Sequence, residues 1–190
     1  MSKTNENSNL KVVLFVSRNK DNPDVPSFKA RKKSFLTTKP SDDPELLADF
    51  KSFVTSGLPG ELSRLYVSVN SRNPKKVNQS FLHYLLDTSD LNPATYPQKV
   101  ASLAAKKENA FENKWLFDFD YDDEQKLNSF LSDLKSESNL KDDEVCVTKT
   151  INGYAVVVSH GFNTQNLLNN WVDVTLKRDD MLLVNYSNKF

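Results

Sequence analysis

In Trp115-Leu-Phe-Asp-Phe-Asp-Tyr121 two carboxylates alternate with aromatic rings. The two-residue period of a strand places Asp118 and Asp120 on one face and Phe117, Phe119 and Tyr121 on the other. Neighbouring carboxylates repel unless a cation or a basic side chain sits between them. Paired acids at a strand end are one way to hold Mg²⁺ against nucleotide phosphates, through the oxygen ligands this hard cation prefers. The expectation is therefore Mg²⁺ at Asp118 and Asp120. The plainer reading is an exposed strand end running into a helix capped by Asp122 and Asp123.

A second set of residues suits phosphate. Arg64 and Arg72 bracket Tyr66-Val-Ser-Val-Asn70, and the strand period puts Arg64, Tyr66, Ser68 and Asn70 on one face. Guanidinium and amide groups there, together with Lys149, are expected to clamp phosphate through charge-assisted hydrogen bonds. A polar outer face is the structural alternative.

Other chemistries are poorly served. One cysteine and two distant histidines cannot supply the four ligands of a zinc site. Neither a phosphate-cradling glycine loop nor a Gly-x-Ser-x-Gly elbow is present. His83 falls within a helical stretch and reads as structural, and His160 falls in a loop beside glycine. Cys146, in the alternating run Glu144-Val-Cys-Val-Thr148, is expected to be a small buried core residue. A single cysteine excludes an intramolecular disulfide and suits a reducing compartment.

The elements that must position these residues follow from pattern. Lys11–Ser17 and Ser63–Asn70 read as strands, and the proline-interrupted basic stretch between Ser17 and Pro40 reads as a loop with a short strand at Ser34–Thr37. Asp42-Asp43-Pro44 marks a helix start, with Leu46, Leu47, Phe50, Phe53 and Val54 at helical spacing. Pro74 and Pro97 open two further helices. The second half is more regular. Lys114–Tyr121 is a strand, Asp122–Lys135 a helix, Val145–Thr150 and Tyr154–Ser159 a hairpin turned at Asn152-Gly153, and Thr164–Asn170 a short helix. Val172–Leu176 and Met181–Asn185 finish as strands. That order predicts an α+β fold, an RRM-like antiparallel sheet covered by helices, with an N-terminal α/β extension.

At 190 residues the chain fits a single domain over residues 11–190, after a flexible start over residues 1–10. Within it an N-terminal lobe spans about residues 11–110 and an RRM-like lobe about residues 111–190. Net charge is zero but unevenly spread: residues 1–40 carry nine Lys/Arg against three acids, and residues 112–144 eleven acids against four lysines. A nucleic-acid partner would need a local basic patch, since no global field attracts it. No apolar run approaches the roughly 18 residues of a membrane span, and no signal-peptide core opens the chain. A soluble, cytoplasmic protein without a membrane partner is expected.

Four segments carry a family resemblance: Arg64-Leu-Tyr-Val-Ser-Val-Asn-Ser-Arg72, Lys114-Trp-Leu-Phe-Asp-Phe-Asp120, Lys149-Thr-Ile-Asn-Gly-Tyr154 and Asp179-Asp-Met-Leu-Leu-Val184. Over residues 63–186 the chain resembles small bacteriophage proteins of poorly defined function that look related to the catalytic lobe of archaeo-eukaryotic primases. The resemblance implies an RRM-like lobe with a first-strand Asp-x-Asp for divalent metal, a histidine on the return strand of the hairpin and a late aspartate. Asp118 and Asp120 match the first element, and Asp173, Asp179 or Asp180 the third. Ala155 stands where the histidine is required, and His160 follows five residues later. The implied function is binding of nucleotide or nucleic acid by a reduced primase-like lobe, with Mg²⁺-dependent phosphoryl transfer as the reaction if it catalyses one. The competing expectation is a small viral protein that binds and modulates a host protein. The acids alone also permit a metal-dependent nuclease, although no Glu-x-Lys spacing follows them.

Overall fold

The structure, a computed structural model, describes residues 9–188. The flexible start expected over residues 1–10 therefore lies, up to residue 8, outside the described residues. Internal contacts divide the chain into two units, one running to Glu112 and resuming at Leu183, the other spanning Asn113–Leu182.

The first unit begins with β1 (Lys11–Ser17), paired antiparallel with β2 (Arg31–Thr37) so that Lys11 faces Thr37 and Ser17 faces Arg31. β2 starts three residues before the expected strand. Its basic residues sit on a sheet edge, where exposed lysines such as Lys32 and Lys33 discourage pairing with other chains. Helix α1 (Pro44–Thr55) starts where the acidic cap predicts, with the Asp43 carboxylate accepting from the Glu45 and Leu46 amides. Its inner residues Leu46, Phe50 and Val54 pack on Val13 and Phe15 of β1 and on Leu65 and Val67 of β3 (Leu62–Ser68). Two helices follow, α2 (Pro74–Asp87), capped by Asn73, and α3 (Tyr96–Ala104), which lies against β2.

Arg31 ties this unit together. Its guanidinium reaches Glu61 Oε1 at 2.5 Å, Ser56 Oγ at 3.0 Å and the Phe53 carbonyl at 3.1 Å, and it lies 4.4 Å from the Phe53 ring centroid. Glu61 is 1 % exposed, so the pair stands in place of water that burial removed. Gly57 makes room for it, since a Cβ there would lie 2.5 Å from Arg31 Nη2.

The second unit runs β4 (Trp115–Phe119), α4 (Glu124–Ser138), β5 (Val145–Lys149), β6 (Tyr154–Val158), α5 (Gln165–Asn170), β7 (Val174–Lys177). Its sheet has the order β5-β6-β4-β7 with every neighbouring pair antiparallel. A βαββαβ chain whose first strand lies between its third and fourth is the RRM-like arrangement expected from the element order. Phe117 and Phe119 are fully buried on the helix side, with ring centroids 5.7 and 5.4 Å from that of Phe130 on α4. Each such buried ring contributes about 1.5–3 kcal/mol.

The hairpin forms, but its turn chemistry differs from the expectation. Lys149 faces Tyr154, so four residues form the loop, closed by the Thr150 amide on the Gly153 carbonyl at 2.9 Å. Positive φ among the described residues occurs at Ser27, Gly60 and Asn139, not at Asn152 or Gly153. Glycine is required here for close approach, because a Cβ on Gly153 would come 2.1 Å from the Phe119 carbonyl oxygen.

The last strand, β8 (Met181–Asn188), lies beside β3 at the edge of the first sheet, in the order β2-β1-β3-β8. Val184 packs into the first unit's core, whereas element order alone grouped this strand with the RRM-like lobe. Among the described residues no helix is long and apolar enough to cross a membrane.

Candidate functional site at the acidic strand end

Strand register places Asp118 on the sheet face opposite the helices. Phe117 and Phe119 turn toward α4, so Asp118 turns away and shares a row with Thr175 of β7 and Ala155 of β6. Leu116, in the adjacent row of the same face, stands opposite Lys177. Asp120 follows the end of β4; it is exposed and makes no ion pair or hydrogen bond among the described residues.

The positive counterpart that Asp118 requires comes from within the chain. Lys177 Nζ donates to Asp118 Oδ2 at 2.8 Å and lies 3.5 Å from Asp180 Oδ2. Burial alone would lower the lysine's pKa, but Asp118 and Asp180 outweigh it and hold the ammonium above its ordinary range. Among the late acids open in the sequence, Asp180 thus shares a cation with Asp118. Asp173 instead accepts from the Tyr121 hydroxyl, which raises the phenol's pKa.

The donor set suits a hard cation in type but not yet in number. Among the described residues no three His, Cys, Asp or Glu side chains cluster as a metal site. Two carboxylates plus phosphate oxygens can still satisfy Mg²⁺, which commonly keeps several waters. Such an ion would have to displace the Lys177 ammonium.

Ala155, which stands where the primase resemblance requires a histidine, faces Asp118 directly across the β4–β6 pair. Ala155 offers only a methyl group there and is buried. His160 lies past the other end of β6, since Val158 faces Trp115 at the start of β4. Its Nδ1 is 2.8 Å from Ser159 Oγ, and that hydroxyl donates to Glu144 at 2.9 Å.

The three expected phosphate clamps are divided between the units, Arg64 and Arg72 in the first and Lys149 in the second. Arg64 Nη2 donates to Asp21 Oδ1 at 2.6 Å, and Arg18 binds the same carboxylate. Burial alone would raise the Asp21 pKa, but the two arginines reverse it and hold the group below its ordinary range. Arg72 is 1 % exposed, and its amide donates to the Leu10 carbonyl beyond the opposite end of β1. Ser68 and Asn70, expected on the gripping face, are also buried, and the Ser68 hydroxyl accepts from the Val12 amide and donates to the Asn70 carbonyl. Lys149 belongs to the second unit, at the end of the row containing Tyr154 and Phe119. It pairs with Asp122 and lies 4.3 Å from the Tyr154 ring centroid. The Asp122 hydrogen bond raises its pKa.

Sequence reasoning missed Lys177 because a lysine on a late strand carries no local signal of its partner 59 residues earlier. It also misplaced Cys146, which is exposed: β5 is an edge strand whose alternation turns Val145 onto the core and Cys146 to the opposite face. Charge separates strongly, with thirteen acids against seven Lys/Arg in Asn113–Leu182 and eighteen Lys/Arg against twelve acids in the rest of the chain. No family model matches the chain, and neither a curated protein nor a solved structure matches it.

Proposed function

We propose that the second unit binds a nucleotide, or a phosphate of nucleic acid, together with Mg²⁺ at the strand end formed by Asp118, Asp120 and Asp180. It acts as a reduced, primase-like lobe that binds without polymerising. The observation that supports this reading is the convergence of a first-strand and a late-strand carboxylate on one ammonium group, on the face of an RRM-like sheet opposite α4. Mg²⁺ exchanged for that ammonium would be held by the same carboxylates and would neutralise phosphate charge. Lys177, released from Asp118, remains on the same face to pair with a phosphate oxygen, and Lys149 stands at the same end of the sheet. Arg64 and Arg72 have structural duties instead. Ala155 removes the contact that polymerisation would need.

Calorimetric titration with Mg²⁺ plus a nucleoside triphosphate tests this. Heat is expected for the unaltered chain and is expected to vanish in Asp118→Asn and Asp180→Asn. No heat from the unaltered chain, or equal heat from both variants, rejects the reading.

One observation favours a protein partner, of host origin if the chain is viral. The face opposite α4 carries Asp118, Val157 and Thr175, with Leu116 and Ala155 buried on it, and among the described residues its rows hold no aromatic ring, so bases have no platform there on which to stack. Capture from nuclease-treated bacterial lysate separates the two. A stoichiometric protein that survives nuclease supports this second reading, and loss of all captured material on nuclease treatment supports the first.

A further inference from the structure

Residues 18–30 join β1 and β2, antiparallel neighbours that a turn of roughly two to five residues would connect. The longer connection is pinned to the sheet. Asn22, 4 % exposed, donates to the Arg18 and Leu62 carbonyls at 2.9 and 3.0 Å and accepts from the Leu62 amide at 2.6 Å. Pro23 and Pro26 fix two further φ angles, and Ser27 takes a left-handed φ of 58°, which a serine holds only where its surroundings impose it. Ordered loops on a rigid scaffold are where binding residues concentrate.

This end of the hairpin is positively charged. From residue 18 to residue 33 six Lys/Arg stand against two acids, Asp21 and Asp24. Arg18 and Arg64 share Asp21, each at 2.6 Å, and Arg31 is engaged by Glu61. Lys20, Lys29, Lys32 and Lys33 are exposed, and among the described residues none of them meets an acidic side chain. Ser17 faces Arg31 across the β1–β2 pair, so the loop lysines and the first residues of β2 lie at one end of the sheet. Strand alternation turns Lys32 and Lys33 to opposite sides of that edge.

The composition of this surface selects the partner. Protein interfaces deplete lysine at their centre, and a lipid surface takes up an apolar wedge. None of the large apolar side chains exposed among the described residues falls between residues 18 and 33. Interfaces with nucleic acid are polar and strongly positive, and lysine meets phosphate as a point charge. The segment has no exposed ring on which an unpaired base could stack, which favours a duplex over a single strand. We infer that the β1–β2 loop end is a metal-independent site that binds the phosphate backbone of a nucleic-acid duplex through Lys20, Lys29, Lys32 and Lys33, without reading its sequence. Arg18, Arg31 and Arg64 hold the loop and strand in place. Mg²⁺ and the carboxylates of the second unit play no part in it.

Fluorescence anisotropy with a labelled mixed-sequence DNA duplex, in EDTA and over a salt series, tests it. Roughly micromolar binding is expected at low salt, with log affinity falling against log salt at a slope of about −2 to −4, as for a few neutralised phosphates. Lys29→Gln and Lys32→Gln are each expected to weaken binding roughly three- to fivefold and to make the slope shallower by about one. Asp24→Lys removes an exposed acid and is expected to tighten binding roughly threefold, a gain that no folding defect can mimic. Lys75→Gln is expected to change little, because it lies three residues beyond Arg72, whose amide meets Leu10 at the far end of β1. No binding at about 100 μM protein in low salt overturns the inference, as does a loss from Lys75→Gln equal to that from Lys29→Gln. Binding that appears only with Mg²⁺ and is lost in Asp118→Asn assigns the duplex to the second unit and overturns it as well. Equal affinity for an acidic polypeptide overturns nucleic acid as the partner.

Discussion

The two units each hold an ion pair with a partly exposed cation, yet the pairs sit in different surroundings. In the first unit Arg31 meets Glu61, a carboxylate at 1 % exposure that also accepts from the Leu58 amide. In the second, Lys177 meets Asp118, both about one-third exposed, on the sheet face opposite α4. The first pair cannot be opened without stranding a charge away from water. The second opens at lower cost, because water reaches both partners. Residue type does not separate a structural charge from an available one. Burial and the direction of the strand face do.

Breaking the first pair should therefore cost far more than breaking the second. Arg31→Met strands the Glu61 carboxylate, removes the ligand of the Phe53 carbonyl and is expected to cost about 3 kcal/mol in urea unfolding. A loss below about 1 kcal/mol would put the two pairs in one class. Gly153→Ala probes the second unit's backbone instead of its charges. Its Cβ would run into the Phe119 carbonyl, so about 2 kcal/mol of destabilisation is expected, with shifts in the amide resonances of Asp118–Tyr121.

Acid sharpens the contrast. Burial alone would raise the Glu61 pKa, but the Leu58 amide and Arg31 reverse it, and Asp21 is likewise held low. Carboxylates whose folded pKa is depressed contribute stability that is present above the unfolded value. That stability is lost as pH falls through the folded value. First-unit stability is thus expected to decline below about pH 4, near the unfolded carboxylate values. Asp21→Asn and Glu61→Gln are expected to flatten that slope, whatever their effect at neutral pH. The smallest effect belongs to Lys177→Met, expected to change stability by no more than about 1 kcal/mol.

Much of this architecture was legible in the residues. Asp43-Pro44 marked α1, the alternation around Asp118 fixed which side chains meet α4, and the strand–helix–hairpin–helix–strand order carried the RRM-like topology. What stayed hidden was long range. Nothing near Arg64 announces Asp21, and nothing near Arg31 announces Glu61, because each partner arrives through sheet pairing or a helix end. Arg72 looked like a phosphate ligand because burial of a guanidinium leaves no local trace. The strand expected over Met181–Asn185 showed its apolar run, Met181–Val184, but not its sheet, since both sheets offer an edge that accepts an apolar strand. The Asn152-Gly153 turn was recognised for the wrong reason: the glycine answers to a carbonyl on β4, a contact absent from the dipeptide itself.

The central claim is that the carboxylates of Asp118, Asp120 and Asp180 hold a cation for a ligand, while the arginines of the first unit hold the fold. Substoichiometric Mn²⁺ added with a nucleoside triphosphate, read by paramagnetic broadening of the backbone amides, tests it most directly. Broadening is expected to concentrate at residues 118–121 and 175–180 and to spare the surroundings of Arg64 and Arg72. Broadening spread evenly over exposed acids such as Asp142 and Asp143, or none at all, would contradict it.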